Sequence, residues 1–257
     1  MAQSGQTASK WSIRSLWKET LAWLQASITR RDVEPLAIAL IVCILTLVWV
    51  YYGKQNSFYK YLGAATAGLQ HQDFWSALYE YSTAFVLMLV IPAVIGRLAF
   101  GKSPRDYGLQ WGDTRRGLRL LAIGIPAMLM TAWVSSMTPM IQAEYPAARS
   151  MLDQAPLFVA MEAFYVLYYV GWEYLFRGFL LLGMQERYGP IAAIVIQTLP
   201  SALAHIGKPA SEAFAAIAAG LVFGFVAVRT QSTLYPTVLH SVLGISLDLA
   251  LITQMSR

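Results

Sequence analysis

Val170-Gly171-Trp172-Glu173-Tyr174-Leu175-Phe176-Arg177-Gly178-Phe179 lies inside a long apolar run, from Pro156 to Met184, where no polar face recurs at helical spacing. A helix that is apolar all round is either buried in a protein or spans a membrane. Within the run, Glu173 and Arg177 stand four residues apart. On a helix that spacing stacks the two side chains on one face, where they can pair. In a bilayer each charge is costly, so such residues turn toward the bundle interior and mark function. An internal ion pair that only pins helix packing is the competing reading.

The rest of the chain agrees with a membrane. Hydrophobic residues make up 57% of its 257 positions and charged residues 13%, against roughly 25% charged in soluble domains. Counting segments of about 20 mostly apolar residues predicts seven spans, near 35–52, 76–99, 117–138, 155–186, 189–206, 211–229 and 232–254. The fourth is longer than one crossing needs. It either tilts or breaks near Gly171, and a break there makes eight segments. The expected fold is therefore an all-α polytopic membrane bundle of seven to eight transmembrane helices. It divides into a tail over 1–34, N-terminal helices and loops over 35–154, and a core bundle over 155–257.

Residues 1–10 are small and polar and are expected to be disordered. Residues 11–29 set Trp11, Leu16, Trp17, Leu21, Leu24 and Ile28 at helical spacings against Arg14, Lys18 and Glu19. That pattern predicts a helix lying in the membrane interface, or else one packed on the bundle. No cleavable signal peptide is evident. Cys43, the single cysteine, has no partner for an intrachain disulfide. The net charge of +5 suits a bilayer with anionic lipid, and no clustered basic tract points to nucleic acid. Arg30 and Arg31, then Lys102, Arg105, Arg115, Arg116 and Arg119, then Arg187 and Arg229 fall at alternate span ends, on one side. The positive-inside rule places that side, and the N-terminus, in the cytoplasm. Lys54, Lys60 and Lys208 run against the majority.

Polar residues inside the spans carry the chemistry. Glu162 and Glu173 are eleven residues apart, nearly three turns, and share a face with Tyr169 between them. The fifth span ends at Ala204-His205-Ile206-Gly207-Lys208-Pro209, and Glu212 begins the next. The seventh carries His240, Gly244 and Asp248, spaced by four on one face. Two neutral imidazoles and a carboxylate form a common ligand set for a hydrolytic zinc ion with one position left to water. Histidines hydrogen-bonded inside a bundle are the plainer reading, and the spacing alone does not choose. At 1.5 Å per residue from the assigned cytoplasmic ends, Glu173 lies about 20 Å deep, His205 and Asp248 about 25 Å, and His240 about 13 Å. On that reckoning Asp248, rather than Gly244, is level with His205 and Glu173.

In motif order and interval the chain resembles the CAAX-protease and bacteriocin-processing (CPBP, or Abi) intramembrane metalloproteases. The family pattern is Glu-Glu-x-x-x-Arg, then Phe-x-x-x-His, then His-x-x-x-Asn, on successive core helices. Here the motifs read Trp172-Glu173-Tyr174-Leu175-Phe176-Arg177 with Gly178 following, Ser201-Ala202-Leu203-Ala204-His205, and His240-Ser241-Val242-Leu243-Gly244. The stretch Ser103-Pro104-Arg105-Asp106-Tyr107-Gly108-Leu109 resembles the family's loop before a core helix. Three departures stand out. Trp172 replaces the first glutamate, the family's general base, Ser201 replaces a packing phenylalanine, and Gly244 replaces the asparagine beside the metal.

The resemblance implies an integral protein of a bacterial cytoplasmic membrane that cleaves a membrane-associated peptide or protein with metal-activated water. The metal is a divalent ion, expected to be zinc, held by His205 and His240. Glu173 is a third ligand or the base, with Arg177 fixing its rotamer, and Asp248 or Glu212 supplies the missing carboxylate. Two other classes compete. A catalytically inactive member acting as a membrane scaffold or immunity factor is suggested by Trp172 and Gly244. A haem protein with His205 and His240 as axial ligands would show a Soret band.

Overall fold

The computed structural model describes residues 12–152 and 154–255. The tail expected over 1–10, and Trp11 of the amphipathic segment, lie outside them. Ten helices in chain order carry the fold among the described residues: α1 Ile13–Ser27, α2 Arg30–Gly53, α3 Gln55–Thr66, α4 Gln72–Ala99, α5 Thr114–Ser136, α6 Pro139–Glu144, α7 Ala155–Tyr188, α8 Pro190–Leu203, α9 Ala210–Thr230 and α10 Leu234–Met255. No β-sheet occurs among the described residues.

The protein is an integral membrane helix bundle. Six helices, α2, α4, α5, α7, α9 and α10, are long and apolar enough to cross a bilayer. The fifth expected span shortens to α8, 14 residues from Pro190 to Leu203. At 1.5 Å per residue α8 covers only about 21 Å, less than a hydrocarbon core of about 30 Å. It stops because a turn over 204–209, with Gly207 at φ +96°, reverses the chain toward α9. His205 therefore sits in a turn and not inside a span. Of the two readings of the long fourth span, the break near Gly171 does not occur, since α7 runs unbroken for 34 residues.

α7 is the central element. Every residue from Gly171 to Leu182 is buried, which is why this stretch has no polar face. Gly171 serves contact instead of a kink. A Cβ there would meet the Ala84 carbonyl oxygen at 3.2 Å and the Phe85 Cα at 3.2 Å, so α4 crosses α7 at close range. From Tyr174 to Leu182 the helix winds in π geometry, a form that recurs at functional sites. Small residues bring the other helices in, as in membrane bundles generally. On α5, Gly117 faces Tyr235 and Gly124 faces Leu239 of α10, while on α9 Gly220 and Gly224 face Thr198 and Gln197 of α8.

Ion pairs tie one end of the bundle together. Arg187 at the end of α7 bonds Asp32 in the first turn of α2, and Lys102 bonds Glu34 at 2.7 Å. The basic residues used for orientation thus include two that meet at one end. The loop over 103–109 is strapped across that end, with the Thr233 N–H donating to the Gly108 carbonyl at 2.8 Å. Within it Asp106 accepts from the Ser103 N–H at 2.7 Å and the Ser103 hydroxyl at 2.8 Å. The backbone bond above all holds the Asp106 carboxyl below its ordinary range. That contribution is full at neutral pH and is lost as pH falls through the lowered pKa.

Gly178 lets this loop sit against α7. A Cβ at 178 would lie 2.5 Å from the Tyr107 carbonyl oxygen and 3.0 Å from the Thr233 Cγ2. Backbone cannot move aside as a flexible side chain can. Gly178→Ala is expected to cost about 1–3 kcal/mol, the usual range for overpacking, read as a lowered unfolding midpoint in detergent.

No residue of α1 is buried, and Ile13, Trp17 and Trp23 are all more than half exposed.

Candidate active site

Glu173 and Arg177 pair as their spacing requires. Arg177 Nε lies 3.2 Å from Glu173 Oε2, and the two side chains are 2% and 0% exposed. The other Glu173 oxygen, Oε1, is 2.7 Å from His240 Nδ1. The gap of about 7 Å reckoned between Glu173 and His240 at 1.5 Å per residue is therefore closed in three dimensions. A depth measured along straight, upright helices ignores tilt, and α7 is far too long to stand upright. Arg177 also donates from Nη1 to Ser201 Oγ at 3.3 Å and faces the Phe223 ring at 5.7 Å. Ser201 thus gives a polar partner where packing was expected, and Phe223 of α9 supplies the aromatic surface.

His205 is held by the same serine. Its Nδ1 lies 2.8 Å from the Ser201 carbonyl oxygen, and its ring stands edge-on to Trp172 at 5.3 Å and 79°. It is within electrostatic reach of His240 and Arg177. Trp172 is enclosed by Trp49 at 5.7 Å, Tyr168 at 5.7 Å and Phe176 at 4.9 Å. Where a second carboxylate was anticipated there is an aromatic wall, shared by α2 and α7. The Trp172 indole N–H is buried in it without a hydrogen-bond partner.

The remaining candidates have other neighbours. Asp248, 2% exposed, has the Glu162 carboxyl of α7 as its neighbour. Glu212 accepts from the Tyr145 hydroxyl at 2.8 Å, beside the Lys208–Glu144 pair at 2.6 Å. The level of Gly244 is filled from α7. A Cβ at 244 would lie 2.2 Å from the Tyr169 hydroxyl oxygen, and the Tyr169 ring packs on His240 at 4.2 Å. Tyr169, Phe223 and Trp49 were not candidates from sequence. Only the glycine at 244 signalled that something bulky stands opposite.

Residues 153–245, which hold all these motifs, match the family model described as Type II CAAX prenyl endopeptidase Rce1-like. Over this segment the chain is similar to the CAAX-protease family. The match covers a little over a third of the chain, and the helices before it lie outside the matched segment. No curated protein and no solved structure matches the chain.

The site has a definite proton arrangement. A carbonyl oxygen only accepts, so His205 Nδ1 carries the hydrogen of its bond to Ser201. His240 Nδ1 likewise donates to the Glu173 carboxylate. Each ring, in its neutral form, then presents Nε2 as a bare lone pair. Histidines oriented in this way are also typical of metal ligands. The third ligand is the difficulty, because Glu173 already divides its oxygens between Arg177 and His240. Among the described residues no three His, Cys, Asp or Glu side chains are grouped to hold a metal ion. As placed, the residues do not form the three-ligand set of a hydrolytic zinc.

Proposed function

We propose that this protein is an intramembrane endopeptidase that hydrolyses a membrane-associated peptide or protein at the Glu173–His240 pair. The observation that carries the reading is the buried Glu173 carboxylate, fixed by Arg177 on one oxygen and holding His240 Nδ1 at 2.7 Å with the other. A carboxylate in that position orients the imidazole and stabilises the imidazolium that forms when Nε2 takes a proton. In the reaction, water gives a proton to His240 Nε2 while its oxygen bonds to the scissile carbonyl carbon. The C–N bond then breaks as that proton passes to the leaving nitrogen, yielding a carboxyl and an amine. His205 Nε2, on the ring that stands edge-on to Trp172, offers a further acceptor for water at the site. The basic residues favour a cytoplasmic N-terminus, and the amphipathic α1 favours contact with the lipid surface.

The reading is tested with purified protein in bicelles and a pool of peptides derived from membrane-protein segments, with new termini read by mass spectrometry. Metal content is measured on the same samples. The parent and His71→Ala are expected to cut, His71 lying just before α4 and outside the core, whereas His205→Ala is expected to cut poorly. No new termini from the parent would overturn the reading in favour of an inactive scaffold. One bound divalent ion per chain, lost in His205→Ala and His240→Ala but kept in His71→Ala, would replace it with a metal-dependent form. In that form His205, His240 and Glu173 are the ligands, and the metal supplies an acidified water.

A further inference from the structure

We propose that Tyr169 is a catalytic residue of this site, its phenol donating a hydrogen bond to the oxygen of the scissile carbonyl as negative charge develops there. The inference rests on the endopeptidase reading and adds an element that reading lacks. Peptide hydrolysis needs a donor for the developing oxyanion as well as a base for the water. The groups already described do not supply one. Both histidines offer bare nitrogens, Arg177 is committed to Glu173 and Ser201, and the Trp172 indole is walled in by Trp49, Tyr168 and Phe176.

Tyr169 is placed to fill the gap. It stands one turn before Glu173 on α7, on the same face, and is 4% exposed. Its ring lies against the His240 imidazole with centroids 4.2 Å apart and planes at 32°. Its hydroxyl projects past the imidazole over the next turn of α10, where only a glycine leaves room. A Cβ at 244 would stand 2.2 Å from the phenol oxygen and 2.9 Å from Cε2 of the same ring. The bareness of Gly244 and the reach of Tyr169 are one feature. Tyr165 packs beneath, with ring centroids 4.4 Å apart.

The test uses the full chain and the bicelle peptide assay. Tyr169→Phe keeps the ring against His240 and removes the donor alone. It is expected to lower kcat about 100-fold or more, the usual loss for one oxyanion donor, with KM and the unfolding midpoint unchanged. Incorporating 3-fluorotyrosine at 169 keeps the shape but makes the phenol more acidic. The alkaline limb of the pH–rate profile should then move to lower pH, which a merely structural ring would not cause. Gly244→Asn is expected to abolish cutting by collision, and a second change, Tyr169→Ala, is expected to restore its unfolding midpoint. If the parent cuts and Tyr169→Phe cuts within twofold of it, the proposal is overturned while the endopeptidase reading stands. If the parent cuts nothing, both fall together.

Discussion

Glu173→Gln and His240→Ala are each expected to lower turnover by about 10²–10⁴, the range for lost acid–base assistance, in protein that remains folded. The double variant is expected to be no slower than the worse single one. Residues that act as a unit are grossly non-additive, because removing either member already removes the function of both. Glu173 acts only through His240 Nδ1 in this arrangement, so once the imidazole is gone the carboxylate has nothing left to orient. The measurement is kcat for the four proteins in one membrane preparation. Multiplicative losses would show that Glu173 and His240 contribute separately. Unchanged turnover in Glu173→Gln would remove Glu173 from the chemistry.

The second large effect is on stability. Arg177→Ala is expected to cost about 3–5 kcal/mol, since removing one partner of a buried pair strands the other charge. The stranded group here is Glu173, whose side chain is fully enclosed. Its remaining contact, His240, compensates only if the imidazole becomes charged. Arg177→Lys should rescue little, because a point charge cannot reach Glu173 and Ser201 together as the guanidinium fork does. Adding Glu173→Gln to Arg177→Ala should recover part of the loss, since no charge is then left unpaired. Reversible unfolding in mixed detergent reads all four proteins. A double variant less stable than Arg177→Ala alone would mean that the pair does not account for the loss.

Much of this molecule was legible in one dimension. An apolar run without a polar face must be buried or in lipid, and that follows from composition alone, so the membrane class and most of the spans were accessible. The pairing of Glu173 with Arg177 followed from helical spacing, because both lie on one continuous element. The motif order around Glu173, His205 and His240 was enough to suggest the family that residues 153–245 match.

What the sequence left undecided depended on how separate helices tilt and meet. Equal rise per residue put His240 about 7 Å from the level of Glu173, yet the long, inclined α7 brings them to 2.7 Å. The same reckoning favoured Asp248, which meets Glu162 instead. An expected span shortened to α8 because a glycine turn reverses the chain below membrane thickness. Trp172 and Gly244 looked like losses when read singly. Their sense comes from neighbours far away in the chain: Trp49 closes the wall around the indole, and Tyr169 occupies the space above the glycine. A one-dimensional pattern records which groups a helix face carries, but not which face of another helix it will find, since that is set by the packing of the whole bundle.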